Sequence, residues 1–173
     1  DGLNQNAGFA SSTRGISSGG YNDAGSSSNI IQYVTIASAG NATDFGDLTV
    51  ARSATAGCAS ATRGLTAGGI GGSNNIIDYI TIASTGNATD FGDLTKASYY
   101  NTACSNATKG LITAGTNNAT QAVEFVTIAT TSNSADFGDL SVARIFCDGF
   151  SDSTPSSALE SFFAPAAIGV LGG

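Results

Sequence analysis

The sequence predicts an all-β protein made of four-stranded antiparallel blades arranged as a β-propeller, complete or partial. Three observations point there. The six residues 43–48, Thr-Asp-Phe-Gly-Asp-Leu, return at 89–94 and, with Ala135 in place of Thr, at 135–140, a constant step of 46 residues. Periods of about 20–50 residues mark repeat architectures. Within each repeat, short segments rich in β-branched and aromatic residues alternate with turn residues, and none keeps a 3.6-residue apolar stripe. A four-stranded unit of this size cannot bury both of its faces alone, whereas copies stacked around an axis can.

The elements of one repeat follow from residue type. Residues 30–37 form a strand in which Ile31, Tyr33 and Thr35 point one way and Ile30, Val34 and Ile36 the other. Both faces are largely apolar, so the strand is expected to be covered on both sides. Residues 38–42 are a turn by composition, and 45–50 read as the next strand. Residues 54–60 contain only Ala, Thr, Gly, Cys and Ser, as does much of 102–107, and this suits the crowded strand nearest a propeller axis. Residues 63–69 form a fourth strand that ends in Gly68-Gly69. Thr13-Arg14-Gly15 corresponds to Thr62-Arg63-Gly64 and Thr108-Lys109-Gly110; the first step is 49 residues because the loop at 22–28 is longer, an insertion that costs little.

Composition narrows the function classes. Only 11% of the 173 residues are charged, the net charge is −7, and there are six basic residues. Such a chain lacks a phosphate-neutralising stripe, so neither nucleic acid nor an anionic membrane surface is an expected partner. No stretch has the length of a membrane-spanning helix. The chain does not begin with Met, which is consistent with a processed product or a piece of a longer protein. His is absent, which removes the commonest general base and transition-metal ligand. Cys58 and Cys104 stand 46 residues apart and so occupy one repeat position; with Cys147 they read as small buried residues rather than a disulfide framework.

The order Arg52, small-residue strand 54–60, Leu65, Gly68-Gly69, Ile76 to Ala83, Gly86-Asn87 and Phe91 resembles the kelch repeat. Phe45, Phe91 and Phe137 stand where kelch repeats carry Trp, and the third repeat has Ala114-Gly115 for the double glycine. The resemblance spans residues 2–154, about three full blades and the start of a fourth at Ala143-Arg144. The phrase NIIDYITIASTGNATDFGDLT, residues 75–95, is similar to kelch-like repeats in structural proteins of marine bacteriophages, cyanophages especially. That similarity implies a virion, tail or fibre component at an extracellular surface. Expected partners are other virion proteins, further copies of the chain and a host-surface glycan. A lectin-like propeller outside any virus is the alternative. Residues 155–173 break the pattern, starting with Pro155, and form an apolar tail able to add a strand to a neighbouring blade or chain.

Candidate chemistry is sparse. Asp44 with Asp47, Asp90 with Asp93, and Asp136 with Asp139 could offer oxygens to Ca²⁺. Their recurrence in every repeat favours turn caps over a metal site. The same recurrence marks no unique pair for glycoside hydrolysis, no Gly-x-Ser-x-Gly elbow occurs, and Gly68-Gly69-Ile70-Gly71-Gly72 lacks the Lys-Ser/Thr of a phosphate cradle. No catalytic residue and no cofactor is assigned. Arg14, Arg52, Arg63 and Arg144 are expected to pair with Asp or with strand-end carbonyls. Asn41, Asn87, Asn106 and Asn118 sit in Asn-x-Thr acceptor patterns, and Asn41 also falls in the predicted turn. Binding is expected where the repeats differ, in the loops at 21–28, 70–74 and 116–120. The candidate contact residues are Tyr21, Asn22, Asp23, Asn74, Asn117 and Asn118, with Tyr99 and Tyr100 either stacking on a ligand or filling space between blades.

Overall fold

The computed structural model describes residues 2–113, 115, 121–145 and 148–149. Among them are fourteen strands and no helix. A short pair, β1 (Leu3–Asn4) with β4 (Tyr21–Asn22), joins three four-stranded antiparallel sheets. The first sheet has the order β2 (Ala7–Ala10), β3 (Arg14–Ser18), β5 (Ile30–Thr35) and β6 (Thr43–Asp47). The second runs β7 (Ala56–Ala59), β8 (Arg63–Ala67), β9 (Ile76–Thr81) and β10 (Thr89–Asp93). The third runs β11 (Thr102–Ser105), β12 (Lys109–Thr113), β13 (Ala122–Thr127) and β14 (Ala135–Asp139). Each is a meander of sequence neighbours, so the repeat read from the sequence is one sheet. The strand expected over 45–50 begins at Thr43 and ends at Asp47. The Cys147 position, the tail at 155–173 and the loop residues 116–120 lie outside the described residues.

The sheets meet along their first strands: β7 lies against both β2 and β11. These strands carry Ala7, Gly8, Gly57, Ala103 and both described cysteines, so main chains approach closely. A Cβ on Gly57 would press on Gly8 O, and one on Gly110 would sit 2.7 Å from Cys58 Sγ. Cys58 and Cys104 are free thiols, as the repeat position implies.

The core is formed between sheets rather than within one. Ile16, Ile31, Phe45 and Leu48 of the first sheet pack on Ile80 and Ile82 of the second. Leu65, Ile77, Phe91 and Leu94 of the second pack with Ile112, Val126 and Ile128 of the third. Burial of each such side chain is worth about 1.5–3 kcal/mol, which a lone sheet would forgo. The expectation that both faces of residues 30–37 are covered therefore needs correction. Ile30, Val34 and Ile36 are 40%, 39% and 55% exposed, because among the described residues no sheet precedes the first.

Each sheet repeats a local stack. Arg14 lies 4.5 Å from the Tyr33 ring, Arg63 4.3 Å from Tyr79, and Lys109 4.7 Å from Phe125. The second ring of each stack is the bulged Phe of the outer strand: Tyr33–Phe45, Tyr79–Phe91 and Phe125–Phe137 meet edge to face at 5.9–6.1 Å. The bulge is a register shift around Phe45, Phe91 and Phe137. It places Gly46, Gly92 and Gly138 at φ of +144°, +143° and +142°, a region L side chains rarely adopt.

Candidate functional site

An antiparallel meander puts the link between second and third strands at the same end as the link from one sheet to the next. The irregular loops at 19–29 and 68–75 and the connectors at 48–55 and 94–101 therefore share one end. At its centre the connectors form a ladder: Ala54 N donates to Gln5 O at 2.7 Å, and Tyr100 N to Ala54 O at 2.9 Å. Gln5, Ala54 and Tyr100 are the described non-glycine residues in left-handed conformation, at φ 57°, 56° and 57°. Such residues cost of order 1–3 kcal/mol each and gather at binding sites and clamps.

A cavity of about 220 Å³ opens beside this ladder, lined by Gln5, Asn6, Ala54, Thr55, Tyr100, Asn101 and Asp148. Thr55 and Asn101 are buried, and among the described residues Thr55 Oγ1 and Asn101 Nδ2 have no hydrogen-bond partner. Asn101 Oδ1 accepts from Gly115 N at 3.3 Å. A second groove, lined in part by Asn6, Ser17, Asn22, Ser28 and Gln32, lies on the uncovered flank of the first sheet. The chemistry on offer is amides, hydroxyls, an aromatic face and the Asp148 carboxylate, suited to hydrogen bonding a polyhydroxyl surface.

The structure distributes the residues expected to bind. Tyr21 is exposed and Tyr99 packs edge to face on Tyr100, centroids 5.3 Å apart. Of the expected set, Tyr100 alone lines the central cavity. Asn22 closes its own turn by accepting from Ser26 N at 2.9 Å, and Asp23 accepts from Gly2 N at 2.9 Å. Asn74, with its amide oriented to satisfy its neighbours, donates to Gly69 O and Gly72 O. Asn117 and Asn118 lie outside the described residues. The sequence reading missed Gln5, Thr55 and Asn101. A signal for the ladder existed, because positions 5, 54 and 100 keep the 49- and 46-residue steps of the repeat.

Among the described residues no three His, Cys, Asp or Glu side chains are placed to hold a metal. Among the described residues the carboxylates of the acidic pairs cap no turn, contrary to the expectation. Hydrogen bonds here come from the main chain, Asp47 N donating to Asn87 Oδ1 and Asp93 N to Asn133 Oδ1, both at 3.0 Å.

Three of the four arginines, Arg14, Arg52 and Arg63, behave as expected. Arg14 donates to Ile82 O at 2.7 Å and Arg63 to Ile128 O at 3.0 Å, each crossing to the next sheet. Arg52 is fully buried beneath the candidate face and pairs with Asp78 at 2.7 Å. Its Nη1 also donates to Gly68 O and Ile76 O. Burial pushes the Arg52 guanidinium below its ordinary value, and the Asp78 charge and hydrogen bond oppose that push. In the next sheet Ser98 replaces Arg52 and Glu124 replaces Asp78. Glu124 accepts from Thr95 N at 2.9 Å, Thr95 Oγ1 at 2.6 Å and the Ser134 hydroxyl.

A scan against protein-family models and a search of curated proteins found no match to this chain.

Proposed function

We propose that the three sheets are blades of a kelch-like propeller, and that the module is a non-enzymatic structural and recognition component of a bacteriophage virion, in its tail, fibre or particle surface. Two features support the radial reading: the first strands lie side by side in chain order, and apart from Phe9 they carry small side chains. The observation that carries the recognition half is the gathering of the irregular loops and the Tyr100 cavity at one end of a rigid array. A host-surface glycan fits its lining of amides, a hydroxyl, an aromatic ring and a carboxylate. The virion half rests on the resemblance of residues 75–95 to phage kelch-like repeats. Proteomics of purified particles tests it: tryptic peptides 64–96 and 110–144 are expected at structural-protein abundance, and their absence from particles would end the virion reading.

The unpartnered Thr55 Oγ1 and Asn101 Nδ2 favour a second reading, a carbohydrate-binding propeller outside any virus. Glycan-array binding by the chain, lost on Thr55→Val with Asn101→Leu, together with absence from particles, would select it.

A further inference from the structure

The two junctions between sheets are built from the same parts. At the first, Ala88 N donates to Asp47 O at 2.8 Å while Asn87 Oδ1 accepts from Asp47 N. At the second, Ser134 N donates to Asp93 O at 2.9 Å while Asn133 Oδ1 accepts from Asp93 N. The turn of the following sheet thus plugs onto the bulged outer strand of the one before. Beside the plug, the Thr49 amide and hydroxyl bond Asp78, as Thr95 bonds Glu124. A Cβ on Gly46 would collide with Gly86 O, and one on Gly92 with Ser132 O. The socket accepts glycine because the plug sits directly on it.

Among the described residues, both halves of this junction stand open at the ends of the array. Gly40-Asn41-Ala42 is the plug of the first sheet, the counterpart of Gly86-Asn87-Ala88. Phe137-Gly138-Asp139 is the socket of the third, and no atom lies within 4 Å of a Cβ built on Gly138, in contrast to Gly46 and Gly92. Burial tells the same story. Ile82 and Ile128 are 1% exposed, whereas Ile36 is 55% exposed. Phe45 and Phe91 are 3% and 2% exposed, whereas Phe137 is 57% exposed.

We infer that the two ends are complementary and that copies of this chain join head to tail, the 40–42 turn of one copy seating on the 137–139 strand of another. The second copy is the occupant because each half left open at one end has its counterpart at the other end of the same chain. Asp139 N would donate to Asn41 Oδ1, and Ser141, which stands where Thr49 and Thr95 stand, would donate to Gln32, the counterpart of Asp78 and Glu124. Ile36 would cover Phe137. Asp148 and Gly149 are exposed at the inner edge, where Gly149 abuts Ala103 O as Gly57 abuts Gly8 O; the incoming β2 would displace these two residues. A contact between different patches of identical copies is heterologous, so it propagates or closes as a ring. The inference rests on the self-assembly half of the reading above and not on the virion assignment.

Sedimentation equilibrium of the full 173-residue chain tests it, independently of particle proteomics. The wild type is expected to form species of two or more copies as concentration rises. Ile36→Asp on the plug side and Phe137→Asp on the socket side should each weaken association more than about tenfold, with circular dichroism unchanged. Should Phe137→Asp unfold, Ser141→Asp takes its place. Mixing the two variants restores one intact junction, so the mixture should reach twice 17.1 kDa and stop there. A wild type that stays at 17.1 kDa up to its solubility limit would overturn the inference. So would association that survives both variants, or a mixture that remains monomeric beside an associating wild type.

Discussion

Asp78 and Glu124 occupy one repeat position and are held in different ways. Asp78 neutralises the buried Arg52, while Glu124 is surrounded by an amide and two hydroxyls with no cation. Removing one partner of a buried ion pair costs about 3–5 kcal/mol, because the other charge is stranded. Asp78→Asn is therefore expected to cost that much. Glu124→Gln retains an acceptor for neutral donors and should cost about 1 kcal/mol or less; urea midpoints of the two variants check the difference. The buried thiol of Cys58 supplies a pH test. Burial pushes its pKa from the ordinary 9.0 up to about 12, with Cys104 adding to the push. The unfolded thiol gives up its proton first, so this stabilising contribution is complete below pH 9 and is lost as pH rises toward 12. Wild type should lose up to about 1.4 kcal/mol per pH unit relative to Cys58→Ala in that window, read from denaturation midpoints at each pH.

At the scale of the element, one wording has three fates. The third strand of each sheet ends in an aromatic residue, a β-branched residue and Thr, with Ile next, and that Ile at 36, 82 or 128 is covered only when another sheet precedes it. Ile82→Ala should cost about 2–5 kcal/mol, whereas Ile36→Ala should cost about 0.5 kcal/mol or less in the single chain; thermal and urea unfolding of both variants decide it. The outer strands differ in the same way, since Phe45 is covered by the following sheet and Phe137 is not. Strand identity, turn positions and the small-residue strand were all legible, because each depends on local side-chain type. The inter-sheet role of Asn87 and Asn133 was not. As a sequence feature, an Asn before a strand reads as a turn former or a glycosylation acceptor, and its bond partner lies 40 residues away.

For the whole molecule, stability comes from sheets covering one another, and no metal is needed to explain it. Chelation with EDTA is therefore expected to leave the melting temperature where it was; a fall would show that the Asp pairs bind an ion in the folded state. In the sequence the acidic pairs read as turn caps rather than Ca²⁺ ligands, because they recur in every repeat. Here a bulge separates them, and their main chains are used instead. The amino-acid order alone was enough to establish the all-β class, the 46-residue unit, its four strands and the free state of Cys58 and Cys104, since periodicity and residue size act over a few neighbours. Which copies of an identical phrase are buried, how Arg52 finds Asp78, and which two ends stay open depended on how the sheets stack. Those properties arise from contacts between repeats, and a repeated sequence cannot distinguish a middle copy from a terminal one.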